Sequence, residues 1–282
     1  MPTQIQHVNP SFDIQASTIE TETAQLFAEA GPMGISAVIL GADNYFKAVV
    51  SYACSNKLNR QELTEKLQEI LQTENLLTRQ YAKTHIFWSF PESILVPAGL
   101  VDADKNIEML DLVYGDLNKG ITKSDFLYKN NLHNIYRVPE PVHELFMAHL
   151  PYATQTHQYS TMVNREMPEG NHLYAVFYSS SLTLMLCKQD KLQVIQNFVY
   201  DNPEDTAYHL LNVCKSFDVQ PNKVTLHISG LVDEKSNLYA AIYKYFLLIE
   251  FDGLPADFSY SDEIEEHPPH FFAHLFAFAS CV

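Results

Sequence analysis

Positive charge is scarce in this 282-residue sequence, which has 18 Lys and Arg residues against 34 Asp and Glu residues and a formal net charge of −16. Binding to nucleic acid through its phosphates needs clustered Lys and Arg. The charge balance therefore argues against a duplex or RNA partner. Hydrophobic residues make up 46% of the chain and charged residues 18%, so the chain is able to bury a sizeable core.

Long hydrophobic runs are also lacking. No apolar run reaches the length of about 18 residues that a transmembrane helix needs, so we expect no membrane insertion. The first nine residues have no basic region followed by an apolar core, and we expect no signal peptide.

The cysteines lie far apart in apolar stretches and form no CxxC pair; they are Cys54, Cys187, Cys214 and Cys281. This predicts buried free thiols in a reducing compartment, the cytoplasm.

Glycine-rich motifs are missing as well. The nine glycines are scattered, and the sequence contains no GxGxxG, GxxxxGK[ST], GxSxG or HExxH pattern. These patterns would indicate dinucleotide binding, a phosphate-binding loop, a serine hydrolase or a zinc protease. We therefore predict no catalytic residue from motifs.

The most informative stretch runs from His172 to Tyr245. Three short apolar strands separated by short turns predict an antiparallel meander. Asn202-Pro203 then predicts a helix start, because Asn is a favoured cap and Pro a favoured first helical residue. A buried strand, Val224–Ile228, ends at Ser229-Gly230, and apolar residues from Leu238 to Ile249 predict a second helix.

A weaker copy of this order runs through the first half. Ile35–Leu40 and Tyr45–Ala53 predict a hairpin around the turn Gly41–Asn44, and Asn59 with Glu62 predicts a capping box at a helix start. Four further expectations are a helix over Thr21–Ala30, a long loop over Gly115–Asn131, a strand over Thr156–Val163 and a terminal helix over Phe271–Phe278.

The order strand-strand-strand-helix-strand-helix resembles a ribonuclease-H-like unit, and it occurs twice, over 35–150 and 172–278. A tandem pair of such units is the plan of the actin-like ATPase superfamily. More narrowly, the chain resembles a bacterial family of unknown function, DUF3822, on five short motifs: Ile94–Leu100, Val138–Glu140, Gln196–Phe198, Pro203–Asp205 and Ile228–Gly230.

The resemblance implies a mixed α/β fold of two ribonuclease-H-like lobes in tandem. We place the first lobe at 1–151 and the second at 152–282. The C-terminal helix is expected either to belong to the second lobe or to pack back on the first.

The resemblance also implies where nucleotide chemistry would lie. Actin-like ATPases hold Mg-ATP with hairpin turns that carry Asp-x-Gly beside a Ser or Thr, and with a strand-Gly-Gly corner that receives adenosine. Here Asp43 follows its glycine, Ser179-Ser180-Ser181 lacks both Asp and Gly, and Ser229-Gly230 keeps one glycine. This implies an eroded ATPase site and predicts no cofactor, with ATP and Mg²⁺ as the alternative at the candidate residues Asp43, Ser179, Ser180, Ser181, Ser229 and Gly230.

A histidine cluster near the C-terminus is the best candidate for metal ligation. His270 and His274 are four residues apart, so they would share a helix face, and His267 is close by. The competing interpretation, which we favour, is an apolar helix with histidines at its margin. We therefore predict no metal.

These observations predict a cytoplasmic protein without catalytic activity. We expect it to act by binding a protein partner or by self-association. Tyr239, Tyr243 and Tyr245 lie close together in one predicted helix. They form either a contact surface for a partner or the solvent-exposed edge of the core. Asp252–Glu266 is either a strip for a basic partner or a solvated loop. The alternative function is a nucleotide-binding protein or small-molecule kinase that uses the cleft between the lobes.

Overall fold

The computed structural model describes residues 9–102, 105–115 and 120–282. In chain order the strands are β1 (Phe12–Gln15), β2 (Gln25–Gly31), β3 (Gly34–Leu40), β4 (Tyr45–Ala53), β5 (Lys83–Trp88), β6 (Ser93–Pro97), β7 (Gly120–Leu127), β8 (Leu132–Pro139), β9 (Thr154–His157), β10 (Asn171–Phe177), β11 (Ser181–Lys188), β12 (Lys191–Val199), β13 (Thr225–Gly230), β14 (Leu248–Phe251) and β15 (Ser259–Tyr260).

The helices are α1 (Arg60–Thr73), α2 (Asn75–Thr78), α3 (Asn106–Tyr114), α4 (Glu140–His149), α5 (Gln158–Asn164), α6 (Pro203–Ser216), α7 (Asn237–Tyr243), α8 (Asp262–Glu265) and α9 (Ala273–Phe276). Short 3₁₀ turns occupy Ala98–Leu100, Pro221–Lys223, Pro269–Phe271 and Ala277–Cys281.

The chain divides into two compact units. The first comprises Met1–Ser160 and Asp257–Ile264, and the second comprises Thr161–Ala256 and Glu265–Val282. The C-terminal residues from Glu265 onward therefore group with the second unit, whereas the short segment with β15 and most of α8 groups with the first.

The first unit is built on a seven-stranded sheet with the order β1-β4-β3-β2-β5-β9, to which β15 adds by pairing with β4. The strands β2, β3 and β4 form an antiparallel meander, and β5 and β9 continue the sheet in parallel. The helices α1 and α4 contribute to the core of this unit. A separate three-stranded sheet, β6-β8-β7, is inserted between β5 and α4 and packs against α3.

The second unit repeats this plan in a five-stranded sheet with the order β12-β11-β10-β13-β14. An antiparallel meander of β10, β11 and β12 is again followed by two parallel strands, β13 and β14. The apolar stripe of α6 packs with α7 on the sheet. The order β4-β3-β2-β5-β9 thus matches β12-β11-β10-β13-β14, whereas β1 and β15 have no counterpart in the second sheet. The first repeat begins at β2, ahead of the predicted start at residue 35.

Local sequence accounts for the starts of the two long helices. The side chain of Asn59 accepts from the Glu62 backbone N–H, and Glu62 Oε2 accepts from the Asn59 N–H at 2.9 Å. Asn202 and Asp205 form the same reciprocal pair at the start of α6, with Pro203 at its first position. Both capping boxes satisfy N–H groups that a helix start leaves without intrahelical partners.

Two predictions in the first unit are wrong. The expected helix over Thr21–Ala30 is strand β2, which is buried on both faces between β3 and β5 and so lacks the alternation that marks a half-buried strand. Within the expected loop over Gly115–Asn131, Gly120–Leu127 is strand β7, which pairs along its length with β8. Residues 116–119 of that expected loop lie outside the described residues.

Three further expectations need correction. The expected strand over Thr156–Val163 ends at His157 and continues as α5. The second helix of the opening stretch ends at Tyr243, and Ile249 belongs to β14, where it pairs with Leu226. The expected terminal helix is α-helical only over Ala273–Phe276: Phe272, with φ −121° and ψ 1°, lies just before its start, and a 3₁₀ turn follows over Ala277–Cys281.

Candidate functional site

The turn Gly41–Asn44 joins β3 to β4 and is closed by its own backbone. The Gly41 N–H donates to the Tyr45 carbonyl at 2.9 Å, and the Asn44 N–H donates to the Gly41 carbonyl at 3.2 Å. Asp43 is a local turn residue, since its Oδ1 accepts from the Tyr45 N–H at 3.3 Å and its side chain is 61% exposed. Three of the N–H groups that a phosphate-binding turn would present are therefore used within the hairpin.

The space beside this turn is polar and dominated by carboxylates. Lys47 Nζ lies 3.7 Å from Asp43 Oδ2, and these two side chains occupy the room that a Cβ on Gly41 would need. A cavity of about 370 Å³ adjoins the turn, lined in part by Lys47, Asp43, Asp262 and Glu263. Three carboxylates against one ammonium give a field that disfavours a polyphosphate.

The turn after β10, Ser179-Ser180-Ser181, is held by the end of β12. The Tyr178 N–H donates to the Ser181 carbonyl at 2.8 Å, and the Tyr200 N–H donates to the Ser180 carbonyl at 3.1 Å. The Tyr200 hydroxyl also donates to the Tyr178 carbonyl at 2.5 Å. Ser181 is buried, so Tyr200, which the sequence did not single out, fixes this hairpin as a structural turn.

The corner after β13 holds Ser229 and Gly230. Gly230 has φ +89°, and a Cβ there would overlap the carbonyl oxygen of Phe177 on the neighbouring strand β10. That same carbonyl accepts from the Leu231 N–H at 2.9 Å. Only glycine fits such a close approach with a positive φ, so Gly230 has a backbone role that needs no ligand.

The C-terminal segment of the chain is bonded directly to this corner. The Ser229 hydroxyl donates to the His270 carbonyl at 3.2 Å and accepts from the His274 N–H at 3.1 Å. His270 Nε2 donates to the Val232 carbonyl at 2.7 Å. His274 Nδ1 lies 3.3 Å from the Ser229 hydroxyl, and burial lowers the pKa of His274 to about 3, so that its ring is neutral.

The three C-terminal histidines do not converge on one point. His270 and His274 hold the β13 corner as described, and His267 lies edge-to-face with Phe272 at a centroid distance of 6.0 Å. The His270 ring also packs on Phe251 at 4.3 Å. Within the part of the chain that the structure describes, no three His, Cys, Asp or Glu side chains are arranged to hold a metal ion. The geometry of these rings is that of packing histidines.

A second polar group, which sequence reasoning missed, crosses the sheet of the second unit. His172 Nδ1 lies 2.9 Å from His227 Nε2, and His227 Nδ1 lies 3.4 Å from Glu250 Oε2. The Tyr174 ring stacks on His227 at 4.5 Å, and the Arg165 guanidinium lies 4.2 Å from the centre of the Tyr174 ring.

The strand register explains why the sequence did not reveal this group. The parallel pairing aligns Tyr174 with His227 and His227 with Glu250, although these residues are far apart in the chain. Burial lowers the pKa of His227 to about 4, and the neighbouring His172 and Arg165 act in the same direction. His227 is therefore neutral near neutral pH. Because His172 Nε2 donates to the Glu169 carbonyl, His172 Nδ1 accepts from the His227 Nε2–H, and the His227 Nδ1 that faces Glu250 on β14 carries no proton.

Comparison with known families assigns the chain. A family model described as "Protein of unknown function (DUF3822)" matches residues 13–249. The chain belongs to the DUF3822 family. No curated protein matches it. In the described ranges no helix of this DUF3822 protein has the length and apolar character needed to cross a membrane.

Two solved structures resemble the DUF3822 chain over most of its length. One is a Bacteroides thetaiotaomicron protein with an actin-like ATPase fold and unknown function, with a TM-score of 0.74 and 17% identity, covering 94% of this chain and 100% of that one. The other is from the PilM–PilN type IV pilus biogenesis complex, with a TM-score of 0.60 and 12% identity, covering 91% and 98%. The predicted family and the predicted duplicated, actin-like fold are both confirmed.

Proposed function

We propose that this DUF3822 protein is a non-catalytic member of the actin-like fold that acts by binding protein. The observation that carries the proposal is the corner after β13. In the superfamily this corner receives adenosine, whereas here Ser229 is bonded to His270 and His274 of the chain's own C-terminal segment. A nucleotide base would have to displace a buried, hydrogen-bonded segment, which costs free energy that an open corner does not require.

The two hairpin turns support the same proposal. The first uses its N–H groups internally and lies beside three carboxylates, and the second is clamped by Tyr200. An inward-facing Asp beside an open glycine would be needed to orient metal-bound water, and neither turn offers that pair.

Support for a binding role comes from the surface and from the fold. Exposed large apolar side chains concentrate in two places, around α3 and around α6 and α7, as at protein contact sites. The similar structure named after the PilM–PilN type IV pilus biogenesis complex is one in which this fold occurs in a complex with another protein. We extend that role to the DUF3822 chain by analogy.

The second candidate function is nucleotide binding, for which the cavity beside Asp43 and Lys47 offers space. Lys47 is the one ammonium group among the side chains that line it. Mg-ATP is itself anionic, so the three carboxylates of the cavity oppose its entry. We therefore rank this function below protein binding.

A hydrolysis assay separates the two functions. We expect purified protein with Mg-ATP to release phosphate at the background rate, and Asp43→Asn and Ser180→Ala to leave that rate unchanged. Hydrolysis above background that either substitution abolishes would refute the proposal and support the second candidate.

We also propose a cytoplasmic location. Cys54, Cys187 and Cys214 are buried free thiols, and burial raises the pKa of each to about 11. Such thiols are inert and suit a reducing compartment. The prediction of burial is wrong for Cys281, whose thiol is exposed near the end of the chain. Fractionation of the native cell with an antibody to the protein tests the location.

A further inference from the structure

The cavity beside the β3–β4 turn is built from the first unit alone. It measures about 370 Å³, and every residue that lines it belongs to Met1–Ser160 or Asp257–Ile264. Its walls are the turn and the start of β4, residues 16–18 after β1, and residues 261–263 after β15. Both β1 and β15 pair with β4, which brings these segments together at one edge of the sheet. We call this feature the edge cavity.

The pairing of β15 with β4 fixes the direction in which Ser261 points. Tyr260 pairs with Phe46, and the two rings stack at a centroid distance of 5.4 Å on one face of the sheet. The Ser261 N–H donates to the Phe46 carbonyl at 3.1 Å, which continues the pairing by one residue. Because side chains alternate along a strand, Ser261 points to the other face, where Tyr45 and Lys47 also line the edge cavity.

The hydroxyl of Ser261 is a buried polar group without a hydrogen-bond partner. The residue is 2% exposed and lines the edge cavity, and its Oγ makes no hydrogen bond. Buried hydroxyls are nearly always hydrogen-bonded, because burial without a partner is unfavourable. A ligand in the edge cavity that donates to this oxygen would remove the penalty.

The charges that line the edge cavity do not balance. Lys47 Nζ, the one ammonium of the lining, lies 3.7 Å from Asp43 Oδ2 and is therefore paired. Asp262 and Glu263 are both exposed, and in the described ranges no ion pair joins either of them to a basic side chain. Two carboxylates thus remain to attract positive charge.

The polar groups of the lining indicate which kind of cation fits. Carboxylates and hydroxyls can accept hydrogen bonds, and an ammonium group is a donor of three and an acceptor of none. A bare metal ion fits poorly, since no three His, Cys, Asp or Glu side chains of the described chain are arranged to hold one. Two unpaired carboxylates match two ammonium groups, and a cavity of about 370 Å³ has room for an aliphatic chain between them.

We propose that the edge cavity binds a small aliphatic diamine or polyamine. The ammonium groups pair with Asp262 and Glu263, and one of them donates to the Ser261 hydroxyl. The binding of a small cation goes beyond the proposed binding of a protein partner and does not depend on it. Failure of either proposal leaves the other standing.

Calorimetric titration of the full chain with putrescine and spermidine at low salt tests the site. We expect saturable heat with both, and butylamine should bind at least about threefold more weakly than putrescine, because it can pair with one carboxylate only. Binding should weaken as NaCl is raised from about 50 to about 300 mM. The absence of saturable heat with either polyamine would overturn the proposal. Equal affinity for butylamine would also overturn it, in favour of a single basic side chain of a partner.

Substitutions in the lining locate the binding. Asp262→Asn and Glu263→Gln should each weaken putrescine binding by about twofold to fivefold, and the double variant should abolish its advantage over butylamine. The control Glu265→Gln removes one exposed carboxylate from the same short helix outside the lining and should bind as the wild type. An equal loss in the control would show diffuse attraction to a chain with a net charge of −16 and would overturn the proposal.

The Ser261→Ala variant separates ligand binding from a structural role. It should weaken putrescine binding about threefold or more, whereas the free energy of unfolding should stay the same or rise, because the hydroxyl makes no internal bond. Unchanged binding in this variant, or lower stability, would overturn the role assigned to the hydroxyl and with it the proposal.

The Lys47→Met variant tests the sign of the charge that the edge cavity accepts. It removes the one ammonium of the lining and leaves Asp43 unpaired, so putrescine should bind about twofold to fivefold more tightly. An anionic ligand would respond in the opposite direction. Weaker putrescine binding in Lys47→Met would therefore contradict a cation site.

Discussion

Gly230 shows how a single residue is fixed by geometry. Its positive φ and the Phe177 carbonyl leave no room for a Cβ. We expect Gly230→Ala to lower the free energy of unfolding by about 1–3 kcal/mol from backbone strain, with further loss from the displaced Phe177 carbonyl. Urea unfolding measures the change. Gly253→Ala is the matched control, because nothing lies within 4 Å of the added methyl group; an equal loss in both variants would contradict the strain argument.

His227 makes a prediction about pH. Its pKa is about 4 in the folded chain and near the ordinary 6.5 in the unfolded chain. As the pH falls from 6.5 to 4, the unfolded chain therefore takes up a proton that the folded chain does not, and the free energy of unfolding decreases. Each pKa unit corresponds to about 1.4 kcal/mol, but Glu250 beside the ring is exposed and solvent screens the site.

We therefore expect His227→Gln to lose about 1–2 kcal/mol less stability than the wild type between pH 7 and pH 4.5, because it removes this proton uptake. The glutamine amide can still donate to His172 Nδ1. Urea unfolding at a series of pH values measures the difference. Parallel pH profiles for the two proteins would show that His227 does not couple to stability.

At the scale of the element, the start of α6 depends on one side chain. Asn202 accepts from the Asp205 N–H, and Asp205 accepts from the Asn202 N–H. We expect Asn202→Ala to lower the free energy of unfolding by about 1 kcal/mol, because alanine removes the side-chain oxygen that accepts from the Asp205 N–H. Asn212→Ala, on the exposed face of the same helix, should be neutral or slightly stabilising. Equal effects of the two substitutions on urea unfolding would argue against the cap.

The elements that the sequence predicts correctly are those with a local signal. Asn59 and Asn202 mark helix starts, and the hairpin around Gly41–Asn44 follows from turn residues between two apolar runs. Strand β2 has no such signal, because its alanines and its burial on both faces fit a helix equally well. Strand β7 is polar and owes its conformation to pairing with β8, which local sequence does not encode.

At the scale of the whole molecule, the duplicated, actin-like fold is predicted by the resemblance of the element order, and of five short motifs, to a known family, although one strand of the first meander, β2, is predicted as a helix. The order of elements can be read from the sequence because most strands of each unit are short apolar segments separated by turns or helices. The inserted sheet β6-β8-β7 and the return of β15 to the first unit were not predicted, since both depend on pairing between distant segments. The same limit hid the packing of His270 and His274 on the β13 corner, which carries the functional proposal.

Calorimetric titration of the full chain with Mg-ATP tests the central claim most directly. The proposal of a non-catalytic, protein-binding role predicts no heat of binding and no change in melting temperature at millimolar nucleotide. A ligand at a hundred times its Kd stabilises the fold by about 2.7 kcal/mol, so a site with a Kd of about 10 μM would raise the melting temperature measurably at millimolar nucleotide. Saturable heat with a raised melting temperature, both lost in Asp43→Asn or Ser180→Ala, would contradict the claim.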